Sequence, residues 1–152
     1  DKWNQLGVAI GHSTSLRRIN LQAVINSHAR RSNESDQCME ALIRGVEMNS
    51  SIEQLEIDMN LITVDEGTLP RLNLHDVQFK SSLKVLELSG NISENQSFTV
   101  SSFMENISLE KFCMASVDVG DRGEEISESA LTRVILACTK VKKLKIYCET
   151  AS

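Results

Sequence analysis

Apolar and polar positions alternate in a short frame that the chain repeats. In Leu83-Lys84-Val85-Leu86-Glu87-Leu88, apolar side chains recur at positions one, four and six. The same spacing holds for Leu16/Ile19/Leu21, Ile52/Leu55/Ile57, Leu109/Phe112/Met114 and Val141/Leu144/Ile146. First positions fall at 16, 52, 83, 109 and 141, so the frames are 26 to 36 residues apart. The flanks repeat too. Ser15, Ser51, Ser82 and Ser108 directly precede a frame, with Lys140 the exception. Six residues ahead of each frame stands an apolar residue: Ile10, Val46, Val77, Phe103 or Ile135. A frame, a polar turn and an apolar position recurring in register mark a repeat protein.

Positions four and six of the frame alternate, which predicts a short strand with one buried face. Upstream, Cys38/Leu42/Ile43/Val46 and Leu131/Val134/Ile135/Cys138 fall at helical intervals, behind the start signals Ser35-Asp36 and Gly120-Asp121. A strand and helix of about thirty residues cannot bury both apolar faces alone, so copies must stack into a continuous core. Leu69-Pro70-Arg71-Leu72-Asn73-Leu74 also fits the frame, as an extra strand, but begins only 14 residues before Leu83. That spacing favours a helix begun by Thr68 with Pro70 in its first turn, which sets Val77 in the shared position.

The frame L-x-x-L-x-L resembles the core of the leucine-rich repeat, and the loops sharpen the likeness. Asn60 and Asn91 occupy that family's ninth position, where the side chain bonds backbone amides at the turn leaving the strand. Asn60-Leu61-Ile62 with Asp65-Glu66-Gly67, and Val117-Asp118-Val119 with Gly120-Asp121-Arg122-Gly123, are similar to degenerate forms of the N-x-I-G-D-x-G turn of the ribonuclease-inhibitor-like subfamily. Asn49-Ser50-Ser51-Ile52 resembles its N-T-S-L helix exit. Val24, Val117 and Glu149 replace the ninth-position asparagine elsewhere, so an unbroken asparagine ladder is absent. The resemblance implies an α/β leucine-rich repeat solenoid, a horseshoe arc of about five strand–helix repeats with its parallel sheet on the concave side and helices on the convex side. It covers nearly all of residues 1–152, which read as a single leucine-rich repeat domain. The end units lack polar caps, and the expectation is a fragment of a longer protein.

Composition narrows the function. With 16 basic and 21 acidic residues the net charge is −5, a poor start for phosphate neutralisation, so nucleic acid is not the expected partner. The longest apolar run, Val134 to Cys138, is too short to enter a bilayer as a span, so no membrane insertion is expected. The resemblance implies a non-catalytic protein–protein interaction module that binds a protein partner on the concave sheet face. The alternatives are a structural subunit or scaffold within a larger assembly, and a GTPase-activating regulator, since one such activator is built of similar repeats.

The outward strand positions are the third, fifth and seventh of each frame. They bring Arg18, Asn20, Gln22, Gln54, Glu56, Asp58, Val85, Glu87, Ser89, Lys111, Cys113, Ala115, Lys143, Lys145 and Tyr147 to one face. Charge along it runs from basic (Arg17, Arg18) through acidic (Glu53, Glu56, Asp58, Glu87) to basic (Lys140, Lys142, Lys143, Lys145), a pattern suited to a partner with complementary blocks. The competing reading is a solvated face whose charges keep the sheet soluble.

Chemistry finds little support. Glu56, Asp58 and Glu87 would need a pocket and a raised pKa to work as an acid/base set, and no pocket is written in the sequence. Cys38, Cys113, Cys138 and Cys148 form no C-x-x-C pair. Cys38 and Cys138 belong to apolar helix faces, Cys113 and Cys148 are expected to be more exposed, and reduced thiols fit an intracellular, cytoplasmic protein over a secreted one. His12, His28 and His75 are far apart and fit turn or surface roles. No metal or cofactor motif stands out, and Gly120-Asp121-Arg122-Gly123 lacks phosphate-loop spacing. Of the five Asn-x-Ser sequons, at Asn33, Asn49, Asn91, Asn95 and Asn106, the repeat itself accounts for Asn49, Asn91 and Asn106. Trp3 reads as end-packing over the first layer.

Overall fold

A computed structural model of the chain describes residues 2–22, 33–62, 72–90, 92–118 and 128–149. Four helices and five strands follow in the order α1 (Lys2–His12), β1 (Arg18–Leu21), α2 (Asn33–Met48), β2 (Gln54–Asp58), β3 (Val85–Ser89), α3 (Glu94–Glu105), β4 (Lys111–Asp118), α4 (Glu128–Ala137) and β5 (Leu144–Glu149). Single 3-10 turns occupy Met59–Leu61 and Gln78–Ser81. The strands make one parallel sheet in sequence order, β1 to β5. The chain is therefore α/β, and among the described residues no helix is long and apolar enough to cross a membrane.

Register follows the frame. Ile19, Leu55, Leu86, Phe112 and Leu144 pair in succession, as do Leu21, Ile57, Leu88, Met114 and Ile146. Leu55, Leu86 and Phe112 lose all contact with solvent. Burial of a side chain of this size stabilises by about 2 kcal/mol, and the row repeats that gain at its three inner rungs. The opposite side of this row is closed by helix residues of the same core, including Ile43, Val46, Phe103, Met104 and Val134.

The serine before the frame has a defined task. Ser51 Oγ donates to the Leu16 carbonyl at 2.7 Å, and Ser82 Oγ donates to the Ile52 carbonyl at 2.7 Å. In both cases a turn hydroxyl grips the first-position carbonyl one unit earlier. The second-position carbonyls of Arg17, Glu53 and Lys84 each accept two amides from the following unit. At the last junction the pattern shifts, and the Lys142 amide donates to Leu109 instead.

Helix packing sets the first layer. Gly7 and Gly45 let α1 and α2 touch backbone to backbone, since a Cβ on Gly45 would stand 2.5 Å from the Gly7 oxygen. Ser93 and Gln96 form a reciprocal capping box that starts α3, and the buried Gln96 amide also donates to the Met59 carbonyl at 2.7 Å. That bond ties α3 to the turn leaving β2.

Four expectations are corrected. Residues 72–77 are not helical: Leu72 forms a parallel bridge with Ile62, the Asn73 carboxamide accepts the His75 amide in a tight turn, and a 3-10 turn follows. Leu72, Leu74 and Phe79 are all fully buried, a spacing that one helical face does not satisfy, although Val77 is buried in the shared position. Residues 63–71, with Thr68 and Pro70, lie outside the described residues, as do Asp65-Glu66-Gly67, Gly120-Asp121-Arg122-Gly123, Asn91, Val24 and His28. Asn60 is exposed, and the turn bond there is made by Asp58, whose Oδ1 accepts the Asn60 amide at 2.9 Å. Ile135 is 37% exposed, because α4 buries Ala130, Val134 and Ala137 and no described layer follows it. Helix α2 begins at Asn33, ahead of the Ser35-Asp36 signal.

Candidate functional site

Because strand side chains alternate, the frame that buries positions four and six turns positions three, five and seven to the open face of the sheet. Three rows result. Arg18, Gln54, Val85 and Lys111 pair in one, and Lys143 continues it immediately ahead of β5. Asn20, Glu56, Glu87, Cys113 and Lys145 form the central row. Asp58, Ser89 and Ala115 form the third, flanked by Gln22 and Tyr147. Strand register places ten of the thirteen expected partner-binding residues on one face, Gln22 joins them through its bond to Ser89, and Lys143 and Tyr147 adjoin paired positions, Tyr147 at a register irregularity between Met114 and Val117.

Their exposure differs. Arg18, Asn20, Gln22, Lys143 and Tyr147 are exposed; Gln54, Glu56, Asp58, Glu87, Ser89, Lys111 and Lys145 are half-buried. Cys113 is buried, which corrects the expectation that its thiol would be open. Burial, reinforced by the Glu87 carboxylate, pushes this thiol up from its ordinary pKa, against the pull of Lys111 and Lys145. A thiol kept protonated at neutral pH is a poor nucleophile. The Cys148 side chain lies outside the described residues.

The acidic block is partly consumed within the fold. Glu56 Oε1 receives Arg18 at 2.8 Å and Gln54 at 3.4 Å, and Asp58 holds the turn at Asn60. Glu53 lies 3.9 Å from Arg17 Nε and 3.6 Å from Lys84 Nζ. Gln22 reaches across to Ser89 at 3.4 Å and to Asn20 at 2.7 Å. Among the described residues, Glu87, Lys111, Lys143 and Lys145 make no ion pair within 4 Å. These four are the charges of the open face that no ion pair among the described residues offsets.

Among the described residues, two surface depressions lie away from this face. One, of about 380 Å³, runs between α3 and α4 over Phe98, Ser101, Arg133 and Leu136, with the Arg133 guanidinium stacked 3.8 Å from the Phe98 ring centre. The other, of about 280 Å³, lies where the strands begin, beside Lys84, Ser108, Glu110 and Lys142. Neither contains Glu56, Asp58 or Glu87. Among the described residues no three His, Cys, Asp or Glu side chains converge as a metal site requires. His12 and His75 are exposed, at the end of α1 and in the turn at 74–76.

Asn49, at the helix exit that its sequence pattern marks, is buried with its carboxamide fully used, while Gln96, half of a Ser-x-x-Gln capping box, is a further residue that the repeat frame does not point to. No protein-family model matches the chain, and neither the curated proteins nor the solved structures give a significant match.

Proposed function

We propose that this chain is a leucine-rich repeat domain of the ribonuclease-inhibitor-like kind, a solenoid whose sheet face captures a protein partner without chemistry of its own. The aligned frames and the serine-to-carbonyl rungs support the repeat reading. The observation that carries the binding reading is the row Glu87, Cys113, Lys145. It sets an acid on β3 and a base on β5 about 10 Å apart, two strand spacings, with the neutral thiol of β4 between them and Lys111, Lys143 and Tyr147 alongside. An extended or loop segment bearing an acidic side chain near a basic one fits this order, gaining orientation and association rate from it. The protonated thiol weighs against nucleophilic catalysis and the net charge of −5 against nucleic acid, which leaves a protein partner as the favoured reading.

The test is affinity capture from native extract with mass spectrometry, run in parallel for the wild type and for Glu87→Lys and Lys143→Glu/Lys145→Glu variants. Partners retained by the wild type and lost by the variants support the reading. Partners retained by all three place the working surface elsewhere. The structural-subunit reading draws on a different observation: Leu136, Leu144 and Tyr147 are 72%, 38% and 53% exposed at the β5 end.

A further inference from the structure

Arg17, Arg18, Arg44, Lys84 and Arg133 each lie within 4 Å of a carboxylate. Among the described residues Lys111, Lys143 and Lys145 do not, and the sheet brings these three together. The Phe112 amide donates to the Lys143 carbonyl at 2.9 Å and Phe112 pairs with Leu144, so Lys143 stands opposite Lys111. Lys145 follows two residues on, on the same face and opposite Cys113. Neighbouring strands are about 5 Å apart and alternate residues about 7 Å, so three ammonium-bearing side chains surround one point.

Like charges directly opposite on adjacent strands destabilise a sheet, and nothing beneath these offsets them. Cys113 is a buried thiol on which the charges of Lys111 and Lys145 both act. Glu87 stands on the far side of Cys113 from Lys145, and Glu110 lies in the depression where the strands begin, off this face. A local rule broken without compensation inside the fold marks a functional surface. The patch does not owe its openness to the position of β5 in the sheet. A further strand paired beside β5 would widen the face without covering it, because face side chains stand perpendicular to the sheet.

We propose that the Lys111, Lys143 and Lys145 patch captures a phosphorylated side chain of the partner protein, in an extended segment whose basic residue meets Glu87 about 10 Å away. A phosphate monoester brings a charge of about −1.5 to −2 at pH 7 and three strong acceptor oxygens. One carboxylate brings a single charge and two oxygens, too few for three ammonium groups. Glu87 beside the patch and the net charge of −5 oppose a polyanion such as nucleic acid. The inference rests on the open-face binding reading above and names the chemistry of its partner.

A labelled peptide with phosphoserine and a lysine about three residues later spans the distance when extended. It is titrated into the full chain beside the same peptide carrying serine or glutamate in place of phosphoserine, with fluorescence anisotropy as the readout. Phosphoserine should bind at least about tenfold tighter than serine and about fivefold tighter than glutamate. Lys143→Gln/Lys145→Gln, matched for folding by circular dichroism, should abolish both preferences. Equal affinity for phosphoserine and glutamate overturns the proposal. So does inorganic phosphate that competes as well as the phosphopeptide, because a free anion is then the ligand.

Native extract separates this inference from the reading beneath it. A partner retained by the wild type, but lost after phosphatase treatment of the extract and lost in the double variant, supports the proposal. Retention that survives phosphatase and fails in the variant overturns the phosphate and leaves the binding face standing. Retention that survives both overturns the two together, and a peptide preference or a phosphatase-sensitive retention that the variant leaves intact places the phosphate site elsewhere and overturns the proposal.

Discussion

Asn49 reaches back to Ile10: its Nδ2 donates to the Ile10 carbonyl at 2.7 Å and to the Ser13 carbonyl at 3.1 Å. Its Oδ1 accepts the Ser51 and Ile52 amides at 2.7 and 3.0 Å. One buried carboxamide thus joins the end of α1 to the turn that starts the next frame. Asn49→Ala leaves several buried groups without partners and is expected to cost about 3 kcal/mol, a fall of ~10 °C in Tm for a chain of this length. Asn106 holds the same place before its frame but is exposed, and among the described residues its carboxamide bonds only the Ser102 carbonyl of its own helix, so Asn106→Ala should cost below about 1 kcal/mol. Paired thermal melts check the contrast.

Gly45 separates packing from propensity. An alanine Cβ would meet the Gly7 oxygen at 2.5 Å and Ile10 Cβ at 3.0 Å, and neither backbone can yield without parting α1 from α2. Gly45→Ala is expected to destabilise by about 2 kcal/mol despite alanine's better helix propensity. At Gly11 the nearest atom is Met48 Cβ at 3.2 Å, a contact relieved by a shift of a few tenths of an ångström, so Gly11→Ala should cost less than Gly45→Ala, below about 1 kcal/mol. Urea denaturation of the two variants reads the difference.

The strands and their register are legible because the period-two frame repeats with its flanks. Ile19, Leu55, Leu86, Phe112 and Leu144 share a row for the same reason they share a position. The segment before Leu83 is harder to read. Leu72, Leu74 and Phe79 satisfy a bridge, a turn and a 3-10 helix through tertiary burial, which outweighs the helix-start signal at Pro70. At the candidate site, alternation places Cys113 on the correct face. Its burial does not follow from alternation, because cover comes from the neighbouring strands. Asp58 takes the turn role expected of Asn60, since its side chain points back to the chain leaving β2.

Glu47 links stability to pH. Burial raises its pKa above the ordinary 4.5, assisted by Asp76, while the Asn73 amide and Arg44 pull the other way. The folded state therefore holds the proton to higher pH than the unfolded state, and this contribution is full below 4.5 and lost as pH rises through the folded value. Glu47→Gln keeps an acceptor for the Asn73 amide, bonded at 2.9 Å, without the buried charge. The variant should melt above the wild type at pH 7 and level with it at about pH 3.5, a comparison made by calorimetry.

Cys138 gives a second linkage at the alkaline end. Burial pushes its thiol up to about 11 from 9.0, and its Sγ–H donates to the Val134 carbonyl. Stability from this group is complete below pH 9 and falls as pH rises through about 11. Cys138→Ala should flatten that alkaline loss in urea titrations, and native Cys138 should react with a thiol reagent far more slowly at pH 8 than the unfolded chain does.

The most direct test of the working face compares charge reversal on the two sides of the sheet. Glu87→Lys and Lys143→Glu/Lys145→Glu alter the open face, while Arg133→Glu alters the helix side beside Phe98. All three variants are first matched for folding by circular dichroism, and retention of the native partner is then quantified. The account predicts that retention falls at least about tenfold for both open-face variants and stays at the wild-type level for Arg133→Glu. Retention lost only in Arg133→Glu would contradict it.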